Sequence, residues 1–319
     1  MKVLKNENTR IEEGRKTAVA LGMFDGLHIG HMALIEKVKE LAKEHNWLSA
    51  VYSFHNHPYT VLNPAQAPAQ LLTPEEKLRC FSHTQIDYLL WVPFSFQLSG
   101  EDPEDFIKGM VERYDIAAIV AGFNYKFGSG SSGDADMIRK ICKQCGVEAY
   151  IIEPVCFKGL PVSSTRIRRC LAEGELEDAN AMLGRPYSVC GKIVRGKQLG
   201  RTIGFPTANI EAPVKTLPRF GVYATEASIY GKKHHAITNI GKNPTVSDQE
   251  GKVFIETSIN NYDQDIYGST LKIEFRKFLR EEKKFGSVED LKQQITKDID
   301  QMLQHFQEQD QNDATLGQL

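Results

Sequence analysis

The chain has 319 residues, of which 41% are hydrophobic and 25% charged, and a formal net charge of −2. That length exceeds what one hydrophobic core usually fills and points to two domains, while near-neutral charge without a long Lys/Arg run argues against a sequence-independent grip on nucleic acid. No stretch approaches the roughly 18 apolar residues of a membrane-spanning helix, and residues 1–15 lack the apolar core of a signal peptide, so the expectation is a cytoplasmic chain with six reduced cysteines.

In chain order, Thr17–Leu21 predicts a strand and Ile29–His45 a helix with Leu34, Val38, Leu41 and Ala42 on one face. Between them runs Gly22-Met23-Phe24-Asp25-Gly26-Leu27-His28-Ile29-Gly30-His31. Backbone N–H groups at a helix start favour a phosphate there, and Gly26 and Gly30 permit close approach. His28 and His31 are three apart, so both can face one anion. Alone, an H-x-x-H pair can also bind metal or be structural. Further strands are predicted at Leu48–Phe54, 87–92, 116–121 and 147–152, and helices at 74–81, Pro103–Tyr114 and Ala135–Cys145. This alternation implies a Rossmann-like parallel sheet with ligands beyond the strands' carboxyl ends. His57-Pro58 follows the second predicted strand.

Two motifs in this half are weak. Cys142 and Cys145 form a lone C-x-x-C with no second pair or His ligands, read as two small side chains on a helix face. Gly128, Gly130 and Gly133 match G-x-G-x-x-G, with Glu153 twenty residues on. The match follows a late strand and reads as a loop, not a dinucleotide fingerprint.

Ser163, Ser164 and Thr165 can cap a helix whose free N–H groups face a phosphate. Arg166 or Arg168 could grip phosphates with a planar fork or could be surface arginines. Short helices are predicted at 165–172 and Leu176–Leu183. From 187 to 278 short strands separated by Gly, Pro and Asn turns predict a small antiparallel barrel. A closing helix follows, capped by Ser287, and the tail after Gln307 is expected to be mobile.

Residues 191–197 match most of a P-loop, but Gln198 lacks the hydroxyl for Mg²⁺ and no helix pattern follows. The glycines belong instead to a longer run from Gly196 through Gly200, Gly204 and Pro206 to Thr207-Ala208-Asn209. Glycine-rich backbone can wrap phosphates. Thr207 and Asn209 share a strand face and offer neutral oxygens of the kind Mg²⁺ accepts beside ATP phosphates. Glu256 is a lone acid in an apolar strand, either a general base or an outward-facing residue of an alternating pattern.

Together these runs resemble the bacterial bifunctional FAD synthetases. Gly22 to His31 resembles the signature of their FMN adenylyltransferase domain, itself similar to H-x-G-H nucleotidyltransferases. Further matches are His57-Pro58, Gly122 to Gly128 with Asn124, and Val162 to Arg168. The run from Gly196 to Asn209 resembles the riboflavin kinase signature. Gly221-Val222-Tyr223, Asn239-Ile240-Gly241 with Pro244-Thr245-Val246, Glu256 with 265–268, and 278–285 continue it. One departure is His55-Asn56, where the family usually has Asp-Pro.

The resemblance implies a nucleotidyltransferase-type α/β domain at 1–183, a riboflavin kinase barrel with a closing helix at 184–307, and a flexible tail at 308–319. It implies that riboflavin and ATP give FMN and ADP with Glu256 as base. FMN and a second ATP then give FAD and pyrophosphate at His28 and His31. Nucleotide contacts fall on Gly22, Phe24, Asp25, Gly26, Gly30, Asn124, Ser164, Thr165, Arg166 and Arg168, and in the second half on Gly196, Gly200, Gly204 and Pro206. Flavin contacts fall on His57, Pro58 and Arg280, the last with a salt-bridge alternative. Mg²⁺ accompanies ATP, with Thr207 and Asn209 as ligands. No nucleic-acid or membrane partner is implied, and oligomeric state stays open.

Overall fold

The computed structural model describes residues 1–5, 9, 11, 14–196, 200, 203–242, 253–262 and 264–316. The chain divides into two compact units, Met1–Ser164 and Thr165–Leu319. Among the described residues no helix is long and apolar enough to cross a membrane.

In the first unit, strands β1 (Lys2–Leu4), β2 (Thr17–Leu21), β3 (Leu48–Phe54), β4 (Tyr88–Val92), β5 (Ile116–Gly122) and β6 (Glu148–Ile152) make one sheet ordered β1-β4-β3-β2-β5-β6. Its pairings are all parallel. Helices α1 (Ile29–His45), α2 (Pro74–Ser82), α3 (Pro103–Tyr114) and α4 (Ala135–Cys145) connect the strands. Every residue of β2 is buried. Val19 and Leu21 pack with Phe106, Ile107 and Ile138, while Ala18 and Ala20 pack with Ile35 and Val38. Burial on both faces is why this strand reads as a continuous apolar run.

Strand β1 was not expected from the polar N-terminus. It adds to the sheet edge with Lys2 beside Tyr88 and Leu4 beside Leu90, too short for a periodic signal. A small hairpin, β7 (Cys156–Phe157) with β8 (Leu160–Pro161), was also not expected.

The strand order reverses at β2. The chain steps outward through β3 and β4, then returns to place β5 on the other side of β2. Such a reversal opens a crevice beyond the carboxyl ends of the two flanking strands. The 22–28 loop leaves β2 at that end, and the 123–128 segment leaves β5 there.

The second unit contains α6 (Leu176–Leu183) and all but the first residue of α5 (Ser164–Glu173). Asn180 on α6 donates from Nδ2 to the Phe275 carbonyl at 2.9 Å and accepts from the Tyr187 N–H at 2.7 Å. The barrel is closed and antiparallel, built from β9 (Ser188–Val194), β10 (Ala208–Ile210), β11 (Gly221–Ile229), β12 (Lys232–Lys242), β13 (Val253–Ile259) and β14 (Thr270–Arg280) in the order β10-β13-β12-β11-β14-β9. Thr225, Thr238 and Thr257 point inward and are buried. Their hydroxyls satisfy one another at 2.9 and 3.0 Å, as buried polar groups require.

Alternation turns Ala224 and Ile237 outward, where Met302 and Phe306 of the closing helix α7 (Val288–Leu316) cover them. Ser287 caps α7 through the Asp290 N–H at 3.1 Å. The helix runs to Leu316, past Gln307. Residues 308–316 contain no Gly or Pro, and Gln304 Nε2 donates to Glu308 Oε1 at 2.9 Å across one turn.

Arg280, at the end of β14, binds Asp298 of α7 with two guanidinium nitrogens, Nε to Oδ1 at 2.9 Å and Nη2 to Oδ2 at 2.7 Å. Gln294 Nε2 adds a further bond to Oδ1 at 2.9 Å. The Asp298 side chain is 1% exposed. Asp298→Ala leaves the guanidinium without its buried partner and is expected to lower the second unit's stability by about 3 kcal/mol. Urea unfolding followed by exchange of barrel amides checks this, and a loss under about 1 kcal/mol would mean the pair is solvent-screened.

Candidate active sites

The 22–28 loop is tightly shaped. Phe24, Gly26 and Leu27 take positive φ of 51°, 86° and 40°, a region that is free of strain only for glycine. Phe24 is fully buried and packs edge-on against Phe81 at 5.7 Å. Asp25 is buried, its Oδ1 accepting from the Leu71 N–H at 2.9 Å. Its carbonyl accepts from Ser164 Oγ at 2.8 Å, which ties the last residue of the first unit to the loop. At Gly22 a Cβ would lie 3.0 Å from the Phe24 ring, a tight approach.

His28 is the N-cap of α1, and its Nδ1 accepts from the His31 N–H at 3.2 Å. With Nδ1 accepting, the neutral ring carries its proton on Nε2, which leaves Nε2–H as a donor. The rings of His28 and His31 stack at 3.6 Å and 15°. A Cβ on Gly30 would sit 3.2 Å from the His28 ring. The structure thus brings both histidines together just past the carboxyl end of β2, where the strand order reverses.

A residue the sequence reading missed lies beneath this loop. Lys77 of α2 is buried, and its ammonium donates to the Met23 carbonyl at 2.6 Å, Ser53 Oγ at 2.9 Å and the Phe54 carbonyl at 2.9 Å. Burial pushes its pKa down to about 8, against the attraction of Asp25. A lysine on a short, charged helix gives no pattern by which its burial could be foreseen.

His57 lies past β3, its Nδ1 accepting from the Tyr59 N–H at 3.2 Å, and Pro58 precedes a short helical turn. Asn56, at the departure from Asp-Pro, exchanges two bonds with Phe94, donating to its carbonyl at 3.1 Å and accepting from its N–H at 2.8 Å. The departure therefore joins the exits of β3 and β4. Asn124 is exposed past β5. Thr165, Arg166 and Arg168 fall in the first turns of α5.

The two decoys resolve structurally. Gly128 packs on Pro103, and Phe127 pairs with Gly133, closing the glycine loop on itself. Burial pushes the Cys142 thiol up to about 12, with a smaller push from Cys145. Among the described residues no group of three His, Cys, Asp or Glu could hold a metal.

In the barrel, Asn209 pairs directly with Glu256 across β10 and β13, and Glu256 pairs directly with Asn239 across β13 and β12. Opposed residues leave a sheet on the same face with Cβ atoms about 5 Å apart. Because Thr257 points inward, this row lies on the outer face. Thr207 lines both an open cavity, shared with Gly196, Pro206 and Asn209, and a larger one, shared with Gly200, Glu256 and Arg280. Glu256 is thus outward-facing and yet in a cavity, which joins the two alternatives left open by the sequence.

A Cβ on Gly196 would stand 2.4 Å from Asn209 Nδ2, and one on Gly200 would stand 2.4 Å from the Phe205 carbonyl and 3.2 Å from Thr207 Oγ1. Gly204 has φ of 90°. Arg280 lines the larger cavity while bound to Asp298. Asn239, part of a motif match but given no site role from sequence, lines that cavity and donates from Nδ2 to Glu282 Oε1 at 3.2 Å. Residues 197–199, 201–202 and Pro244-Thr245-Val246 of the motifs lie outside the described residues.

Residues 10–166 match the family FAD synthetase and residues 183–306 match the family Riboflavin kinase. A relative from Listeria monocytogenes named bifunctional riboflavin kinase/FMN adenylyltransferase is 36% identical, covering 88% of this chain and 89% of that protein. The protein of the same name from Bacillus subtilis is 34% identical, with 92% and 94% covered. A crystal structure described as a macrolide-efflux protein from Streptococcus pneumoniae is 31% identical with TM-score 0.86, covering 94% of this chain and 97% of that one.

The glycine contacts order two substitutions. Gly200→Ala meets a backbone carbonyl that cannot step aside and should cost about 1–3 kcal/mol. Gly196→Ala meets a side-chain amide and should cost less. Thermal unfolding of the two variants checks the order, and equal stability would remove the argument for close approach.

Proposed function

The chain belongs to the bifunctional riboflavin kinase/FMN adenylyltransferase family, and we propose that separate sets of residues run its two reactions. It phosphorylates riboflavin with ATP to give FMN, then adenylates FMN with a second ATP to give FAD. We assign adenylation to 1–183 and phosphorylation to 184–307. Both steps consume ATP, which supports a cytoplasmic location.

In adenylation a phosphate oxygen of FMN attacks the α-phosphorus of ATP, and the bond to the bridging oxygen breaks to release pyrophosphate. No side chain need act as nucleophile, so the protein's work is alignment and charge stabilisation. His28 supports this role through Nε2–H, fixed as donor by the bond at Nδ1, with His31 stacked beside it. Gly22, Gly26 and Gly30 give the phosphates access to backbone N–H groups. Phe24 and Asp25, both buried, hold that backbone from below. We assign Ser164, Thr165, Arg166 and Arg168 to the leaving phosphates, Asn124 to the nucleotide, and His57-Pro58 to the flavin side.

In phosphorylation the terminal hydroxyl of the ribityl chain attacks the γ-phosphorus of ATP and ADP leaves. Glu256 takes the proton. The observation that carries this reading is the register pair Asn209–Glu256, which sets the base on the same face as the oxygen donors. Thr207 and Asn209 offer hard, neutral oxygens backed by glycines too close for any Cβ, a set that fits Mg²⁺. They would hold that ion, which when bound draws charge from the ATP phosphates. We place the nucleotide beside Gly196, Gly200, Gly204 and Pro206, and riboflavin in the cavity of Glu256, whose wall Arg280 holds in place.

Glu256→Gln should slow FMN formation by about a hundredfold or more and leave FAD formation from supplied FMN intact. His28→Ala should slow FAD formation by about a hundredfold and spare FMN formation. Chromatographic separation of the flavins reads both steps. Equal loss of both steps in one folded variant would contradict separate sites.

A further inference from the structure

Lys77 sits where a spacer would be cheaper. Burying an ammonium is costly unless each N–H finds an acceptor, and an apolar side chain of similar length would avoid that cost. The three acceptors are not scattered. Met23 lies in the loop leaving β2, while Ser53 and Phe54 end β3. Ser53 Oγ also donates to the Met23 carbonyl at 3.1 Å, so the same oxygen is held from two sides.

One turn further along α2, Phe81 meets Phe24. Lys77 and Phe81 are four apart, so a single helix face supports the loop at consecutive residues. That helix is itself fixed. Thr73 and Glu76 form a reciprocal capping box at its start, and the Leu71 N–H is held by Asp25. Asp25 is the charged group of the loop whose field Lys77 feels. Glu76, beside Lys77 on its own helix, is engaged by the Thr73 N–H at 2.9 Å.

We propose that Lys77 is a positioning residue for adenylyl transfer, acting through the Met23 and Phe54 carbonyls to hold the 22–28 loop in its reactive shape. The proposal rests on the assignment of His28 and His31 to that reaction. The ammonium form matters because three oxygens need three N–H donors, and a neutral amine has two. Loss of its proton removes one strut from beneath the histidines. Since burial lowers the Lys77 pKa to about 8, the proton is lost within the range where rates can be measured.

The test follows FAD formation from saturating FMN and Mg²⁺–ATP between roughly pH 6.5 and 9.5. The wild type should lose turnover through a single-proton limb near the Lys77 value. Lys77→Arg, which keeps its charge throughout, should lack that limb. Lys77→Met should lose roughly a hundredfold in kcat with little change in KM, as expected of misalignment rather than lost binding. FMN formation by the same preparations should stay at the wild-type rate, which reports an intact second unit. Wild-type kcat in Lys77→Met, or an unchanged limb in Lys77→Arg, would overturn the proposal. If His28→Ala is also fully active, the adenylyl assignment itself falls and takes this proposal with it.

Discussion

In each unit a glycine backbone runs directly against the side chain assigned to the chemistry. A Cβ on Gly30 would touch the His28 ring, and Cβ atoms on Gly196 and Gly200 would collide with Asn209 and with the Phe205 carbonyl beside Thr207. As proposed, both sites present backbone N–H groups and functional side chains to the same phosphates. Only residues without side chains let chain and ligand come that near. The surrounding folds differ, but each delivers this close approach.

The two reactions place different demands on these pockets. Adenylation needs its phosphates aligned and their charge stabilised, and the residues proposed for it are donors on a loop at a strand-order reversal. The loop's positive φ values are held by buried groups, namely Phe24, Asp25 and Lys77. Phosphorylation must also remove a hydroxyl proton, and the residues proposed for it include a carboxylate. Barrel register brings Glu256 beside Asn209, and the Arg280–Asp298 pair fastens the covering helix that walls the cavity.

Much of this was readable in the sequence because it is local. The run from Gly22 to His31 spans a single strand-to-helix junction, so its residue types and spacing already describe the site. Fully buried β2 and the alternating β/α pattern gave the parallel sheet, and Thr207 with Asn209 share a face by simple alternation. What escaped was long-range. The pairing of Glu256 with Asn209 depends on strand order, and Arg280 with Asp298 depends on how α7 folds back. Lys77 escaped for another reason: solvated lysines on helices look the same in sequence. Strand β1 was hidden by its length, and the extension of α7 by the polarity of residues 308–316.

The proposal that one chain carries two independent sites for Mg²⁺–ATP can be measured by isothermal titration of the full chain with a non-hydrolysable ATP analogue and Mg²⁺. Two analogues bound per chain, one of them lost in Gly200→Ala and the other in a variant of the 22–28 loop, is the predicted result. A single site, or loss of both from either change in a folded protein, would contradict it.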